Sequence, residues 1–367
     1  MPPQGAPPAT SDPMPTAPQS SLGPVLLGVG GILLLLVAGI LLYWFIFSAT
    51  PQSIESQPKK IGIAYFRQGV SSMEGMKSEL ARLGYSNVSY VAKEVSASSP
   101  TALEDIATVM RDMITKDGVD LIWSDHEHQA KVALEVTKEL GREDIPVVFI
   151  IRFHDPVEYS LVQSFQSSGN NATGVAANLT ESVQRTISFI RDINPDTKKI
   201  GIFGTGFQVP AVASRYFEEW KRQSPEFGLD IVEYTTNVPP PQAEAEFNRI
   251  AATIKPGDID AIVHIPGHFY ETQESAEYEL TKKLGVIHAV PYEDMPGGGH
   301  FAYATNFEAA GEQSARIVDR IFRGTKPSDI PVEYGERVSL TLHMGRAKES
   351  NITFSDSMLF IAHEKRE

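Results

Sequence analysis

The chain has 367 residues, no cysteine and a formal net charge of −14 at pH 7. The absence of cysteine excludes disulfides, thiolate zinc sites, cysteine nucleophiles and a lipid-modified cysteine anchor. The negative net charge argues against binding to nucleic acid or to anionic lipid.

The N-terminal region predicts a membrane anchor. Residues 1–24 are rich in proline and small polar residues, and we expect a disordered tail because they have too little apolar surface to fold. Residues 25–47 form one uncharged apolar run that is long enough, as a helix, to cross a bilayer. A cleaved signal peptide would have a basic start and a shorter apolar core, and a buried core helix rarely stays uncharged over this length. Residues 48–58 are then a linker to the body of the protein.

The body alternates apolar runs with amphipathic stretches, which predicts strands and helices in turn. The first series of predicted strands and helices consists of 61–66, 70–83, 88–91, 101–116, 119–123, a helix ending at Leu140, and 147–151. The second series has strands at 199–203, 230–234, 261–265 and 286–290, with helices near 208–223, 242–255 and 271–284. Because such alternation forms βαβ units, the predicted fold class is α/β with two doubly wound parallel-sheet lobes.

The loops after the predicted strands are the candidate binding sites, because ligands of open α/β sheets lie beyond the carboxyl ends of the strands. With two lobes, these loops face one another across a cleft that closes on a small molecule. The candidate ligand-binding residues are Phe66, Arg67, Gln68, Ser71, Asp125, His126, Glu127, Arg152, His154, Asp155, Phe207, His268, Tyr270 and Tyr292.

The loop after the third strand reads Asp125-His126-Glu127-His128. Histidine with carboxylates suits zinc or iron, but two histidines at this spacing do not share a helical face, so no metal site is predicted. Arg152 follows the fourth strand and is expected to bind a polar or anionic ligand, since a guanidinium fork suits carboxylates and phosphates. The alternative is a salt bridge from Arg152 to Asp125 or Glu127 across adjacent strand ends.

From Arg152 onward the sequence resembles one protein family. The segments that carry the resemblance are His154-Asp155-Pro156-Val157, Leu161-Val162-Gln163-Ser164 and Gly169-Asn170-Asn171-Ala172-Thr173-Gly174-Val175. They resemble the Asp-Pro-Val, Leu-Val-x-Ser and Gly-Gly-Asn-x-Thr-Gly-Val motifs of ABC-transporter substrate-binding proteins of the tryptophan/tyrosine-binding type. Further segments resemble that family in the same order, at 60–66, 74–77, 194–201, 311–317 and 324–333. The resemblance covers about residues 59–350.

The resemblance implies a type I periplasmic-binding fold, in which two hinged lobes hold a ligand between them. It implies a first lobe of residues 59–175 plus 307–330, and a second lobe of residues 176–306 plus 331–367. It also implies a body that delivers its ligand to ABC permease and ATPase subunits. Together with the apolar run 25–47, this leads us to expect an extracytoplasmic body that a single span tethers to the cell membrane.

One departure from the family pattern concerns the ligand. Where the family has a small Thr/Ser and Ala loop after the third strand, this chain has the acidic and imidazole-bearing loop from Asp125 to His128. Such a loop would repel a carboxylate, so an aromatic amino acid ligand is not carried over. The expected ligand is an amino acid or a similar polar solute.

The expected function is therefore that of a membrane-anchored solute-binding component of an ABC importer, with no enzymatic activity and no cofactor. One alternative is a ligand-sensing ectodomain that acts through a partner protein. Another is a hydrolase that uses Asp125, His126 and Glu127. No complete dinucleotide-binding or Walker A motif supports a nucleotide enzyme.

Overall fold

The computed structural model describes residues 58–96, 99, 101–205, 212–236, 238, 240–265, 273–291 and 297–367. The predicted tail, the predicted membrane span and nearly all of the linker precede residue 58 and lie outside the described residues. Of the helices in the described ranges, none combines the length and the apolar character that crossing a membrane requires.

Strands and helices alternate along the described chain. The strands are β1 (Lys59–Tyr65), β2 (Val88–Glu94), β3 (Leu121–Ser124), β4 (Val147–Ile151), β5 (Ala172–Ala176), β6 (Lys199–Thr205), β7 (Asp230–Thr236), β8 (Ala261–Val263), β9 (Ile287–Val290), β10 (Phe301–Thr305), β11 (Glu333–Tyr334), β12 (Val338–His343) and β13 (Glu364–Arg366). The helices are α1 (Val70–Arg82), α2 (Ala102–Asp112), α3 (Glu127–Glu139), α4 (Leu179–Ile193), α5 (Val212–Gln223), α6 (Pro240–Ala251), α7 (Gln273–Leu284), α8 (Phe307–Phe322), α9 (Met344–Glu349) and α10 (Asp356–Ile361).

The first lobe is built on a six-stranded sheet in the order β11-β5-β4-β3-β1-β2. Its strands pair in parallel throughout. The central strands β3 and β4 are buried along their whole length, which explains their nearly continuous apolar sequences. The carboxyl ends of β3 and β4 therefore lie side by side at one edge of this sheet.

The second lobe is built on a seven-stranded sheet in the order β13-β12-β10-β9-β8-β6-β7. Its strands are parallel except that β12 runs antiparallel to β10, with Val338 opposite Thr305. The chain leaves β10 and later re-enters β12 at the same end of the sheet, so β12 must run in the opposite direction. The predicted fold class, α/β with two lobes built on parallel sheets, is confirmed with this one exception.

The chain passes between the sheets after β5, after β10 and after β11. The third passage differs from the sequence prediction, which assigned residues 331–367 entirely to the second lobe. Instead, Glu333 of β11 pairs with Val175 of β5, and the side-chain amide of Gln313 donates to Glu333 at 2.8 Å. This two-residue strand covers the edge of the first sheet, and the second lobe resumes at β12.

Helix α8 follows the second sheet in sequence but packs against α1 of the first lobe. The two backbones touch at glycines: a Cβ on Gly75 would lie 2.1 Å from the carbonyl oxygen of Glu308, and one on Gly311 would lie 2.0 Å from that of Ser72. Only glycine fits such an approach. The contact brings Ser72 and Phe307 beside the carboxyl end of β4.

Candidate ligand-binding site

Polar side chains collect where β3 and β4 end. Two residues separate the end of β3 from the start of helix α3, and the second of them, His126, is the N-cap of the helix, with a ring nitrogen that accepts from the backbone N–H of His128. Residues 152–159 follow β4 and lie against this turn. We call residues 125–128 and 152–159 together the first-lobe wall.

Arg152 is buried in this wall and bonded on several sides. Its Nε donates to the carbonyl oxygen of Asp125 at 2.9 Å, and its Nη2 lies 3.1 Å from both Asp125 Oδ2 and Ser72 Oγ. The guanidinium carbon lies 3.8 Å from the ring centroid of Phe307. Arg152 is 6% exposed and the Asp125 side chain 2% exposed, so the predicted alternative of a salt bridge to Asp125 is present, in the interior of the lobe.

Glu127 is fully buried and joins the two strand ends. Its Oε2 accepts from the backbone N–H of Arg152 at 3.1 Å, and its Oε1 accepts from that of Phe153 at 3.2 Å. The same Oε1 lies 2.7 Å from Nδ1 of His154. Burial opposes ionisation of the carboxyl, but His126, His154 and the backbone N–H of Arg152 together hold the pKa of Glu127 well below its usual range.

Two histidines of the wall, His126 and His128, have lowered pKa values. Nδ1 of His126 accepts from the backbone N–H of His128 at 3.4 Å, so the ring proton resides on Nε2. Burial lowers the pKa of His126, and burial together with His126 lowers the pKa of His128 to about 4. Nδ1 of His128 shares a short hydrogen bond with the hydroxyl of Tyr159, whose pKa burial raises to about 12.

Phe153 links the wall to the second lobe. Its backbone N–H bonds to Glu127, whereas its side chain packs in the hydrophobic cluster of the second lobe, with its ring centroid 6.1 Å from that of Tyr216. Close by, Arg215 on α5 donates to Glu158 of the wall at 2.6 Å. Phe153 was not among the residues predicted from the sequence. The feature that could have identified it was a large apolar residue inside an otherwise polar loop.

The other sequence-predicted residues divide into four groups. Phe66 is buried, and its ring meets that of His126 edge-on at 5.5 Å. Asp155 accepts from the backbone N–H of Val157 at 2.8 Å, so its visible role is to hold the turn after β4. Arg67 and Ser71 are exposed. The side chain of Gln68 and the residues Phe207, His268, Tyr270 and Tyr292 lie outside the described parts of the chain.

A buried carboxylate that was not predicted from the sequence lies beside β8 and β9 of the second lobe. Glu277 on α7 places one oxygen 2.8 Å from Nδ1 of His264 and 3.3 Å from Nε2 of His288. Burial opposes its ionisation, but the two histidines hold the pKa of Glu277 well below its usual range. The sequence feature that could have identified this cluster was His264, a histidine near the end of the predicted strand 261–265. Within the described ranges, neither lobe has three or more acidic or histidine side chains grouped as metal ligands.

The sequence matches a known family. A family model described as ABC transporter substrate binding protein matches residues 68–366. The chain belongs to this family. The resemblance noted in the sequence is thereby confirmed, and the protein is a substrate-binding protein and not an enzyme. The alternative of a hydrolase using Asp125, His126 and Glu127 is therefore set aside.

One curated relative is a tyrosine-binding protein of Clostridioides difficile strain R20291. It is 26% identical to this chain over 219 residues, which is 59% of this chain. The match spans 58% of the length of that relative.

Solved structures show the same fold. A conserved domain protein of Vibrio cholerae matches at 18% identity with a TM-score of 0.69. An ABC domain of Streptococcus pneumonia in complex with L-Trp matches at 18% identity with a TM-score of 0.67. Both matches cover 84% of this chain and 100% of the other chain. The fold is that of the type I periplasmic-binding proteins.

Replacement of Arg152 by alanine tests whether this residue supports the fold. Removing one partner of a buried ion pair leaves the other charge uncompensated, so Arg152→Ala should lower the free energy of unfolding by about 3–5 kcal/mol. Arg142, which pairs with Asp144 on the surface, is the matched control, and Arg142→Ala should cost no more than about 1 kcal/mol. Urea denaturation of the two variants measures both values. Equal and small losses in the free energy of unfolding of the two variants would mean that Arg152 does not stabilise the first-lobe wall.

Proposed function

We propose that this protein is the extracytoplasmic solute-binding component of an ABC importer and captures a small polar solute between its two lobes. The observation that carries the proposal is the polar first-lobe wall at the carboxyl ends of β3 and β4. In open α/β sheets this edge is where ligands bind. Membership of the substrate-binding family supports the same assignment.

The geometry of the wall suits binding more than chemistry. Glu127 is held by backbone N–H groups and by His154, and Arg152 is held by Asp125 and Ser72. Side chains fixed in this way lose little conformational entropy when a ligand arrives, which favours affinity. The contact of Phe153 with the second lobe supports a coupling between the wall and the relative position of the lobes.

The partners follow from the family and from the N-terminal sequence. A solute-binding protein of an importer delivers its ligand to permease and ATPase subunits, and we propose both as partners. The apolar run 25–47 would tether the body to the cell membrane.

Protease treatment of intact cells tests the proposed location. If the body lies outside the cytoplasm, external protease should remove the residues after Lys59 while a cytoplasmic marker protein stays intact. Protection of the body until the cells are lysed would contradict the extracytoplasmic location. The disposition of positive charges does not settle this in advance, because long domains cross membranes largely regardless of charge.

Recovery of a retained solute tests the binding function. The full-length protein, purified from its native source and denatured, should release a small molecule that mass spectrometry identifies. Returned to solute-free protein at a hundredfold excess over its dissociation constant, the molecule should stabilise the fold by about 2.7 kcal/mol, seen as a higher Tm. It should also be recovered chemically unchanged.

A matched pair of variants tests whether the solute binds at the first-lobe wall. Glu127→Gln should weaken the solute-dependent rise in Tm, because Glu127 orders the wall. Glu139→Gln, at the exposed end of the same helix, should leave the rise unchanged. Solute turnover, or no response of either the wild type or the variants to any retained molecule, would contradict the proposal.

A further inference from the structure

The positive charge at the end of β4 is already neutralised by a carboxylate of the chain itself. Arg152 Nη2 lies 3.1 Å from Asp125 Oδ2, and both side chains are more than nine-tenths buried. The stacking of the guanidinium on Phe307 and its bond to Ser72 fix the orientation of Arg152. An incoming anion would therefore have to displace Asp125 in order to reach the guanidinium.

The same carboxylate also covers the N-terminus of α1. Gly69 is the N-cap of this helix, and a Cβ placed on it would lie 1.9 Å from Asp125 Oδ2. Asp125 thus pairs with the buried guanidinium of Arg152 and packs against the start of α1.

His126 is a polar side chain of the wall that stays partly exposed. His126 keeps a proton on Nε2, and its side chain is 13% exposed. The ring lies between those of Phe66 and Phe153, at centroid distances of 5.5 and 6.3 Å. Beside it, Glu127 keeps a buried negative charge, so a further carboxylate at this point would meet repulsion in a low-dielectric setting.

We propose that Asp125 fills the anion position of the first lobe, and that this wall binds an uncharged solute through hydroxyl or carbonyl oxygens instead of a carboxylate. The N–H of His126 would donate to such an oxygen, and the flanking aromatic rings would contact its apolar faces. This inference rests on the proposed function and narrows its ligand class.

Chemical rescue tests the role of Asp125 without knowledge of the ligand. Asp125→Ala should lower the Tm, and formate should restore it in a saturable manner, because the small carboxylate can enter the vacated position beside Arg152. Chloride at matched ionic strength should have no such effect. Formate should also fail to stabilise the wild type and the double variant Asp125→Ala/Arg152→Ala.

A surface variant controls for general effects of formate. Asp144→Ala removes an exposed partner of Arg142, so formate should not change its Tm. Failure of formate to act on Asp125→Ala, or equal action on Asp144→Ala, would overturn the role given to Asp125. If Asp125→Ala does not fold, Asp125→Asn keeps the side-chain shape, and formate must then leave it unaffected because the position stays filled.

Calorimetric titration tests the ligand class on the wild type. L-tryptophan and L-tyrosine represent carboxylate ligands, and a panel of monosaccharides, polyols and nucleosides represents uncharged ones. The wild type should bind a member of the uncharged panel and neither amino acid. Binding of either amino acid to the wild type, abolished by Arg152→Ala, would overturn the inference.

The two measurements distinguish failure of the inference from failure of the proposed function. A wild type that binds no solute of either class overturns the proposed function, and the ligand class with it. Failed formate rescue in a protein that binds an uncharged solute overturns only the assignment of Asp125.

Discussion

The buried carboxylate of Glu127 is the constraint on which the first-lobe wall depends. It receives the backbone N–H groups of Arg152 and Phe153 and a ring nitrogen of His154, so the chain leaving β4 is tied to the start of α3. A buried carboxylate without such donors is costly, and the surrounding loop must therefore keep this arrangement. The position of Arg152, and with it the pairing of Arg152 and Asp125, follows from the same tie.

Both lobes contain a buried carboxylate that is held by histidine side chains. In the second lobe, Glu277 contacts His264, which directly follows β8, and His288, which lies within β9. A carboxylate held by imidazoles keeps each strand end ordered without presenting a free charge to the cleft. Phe153 then connects the lobes, because its backbone belongs to the first-lobe wall and its side chain to the core of the second lobe. Phe153 therefore belongs both to the ordered wall of the first lobe and to the contact between the lobes.

Much of the fold was predictable because it depends on local periodicity. The alternation of apolar runs and amphipathic stretches predicted β1 to β4 and β6 to β9, and the order of short motifs predicted the family. Strands β10, β12 and β13 were not predicted. Strand β11 was missed because a two-residue strand has no periodicity of its own, and its pairing with β5 depends on contacts distant in sequence.

The site was predictable only in part. The polar loop from Asp125 to His128 was visible from its composition, and the salt bridge from Arg152 to Asp125 was one of two alternatives. Choosing between them required the position of Phe307, which lies on a helix far along the chain. The cluster around Glu277 draws its members from three separate elements, so no sequence spacing reveals it.

A crystal structure of the protein with the solute that it retains would test the account most directly. We expect an uncharged solute between the lobes, with an oxygen in contact with His126 and with Asp125 still bonded to Arg152. A ligand carboxylate bonded to the guanidinium of Arg152, with Asp125 turned away, would contradict it.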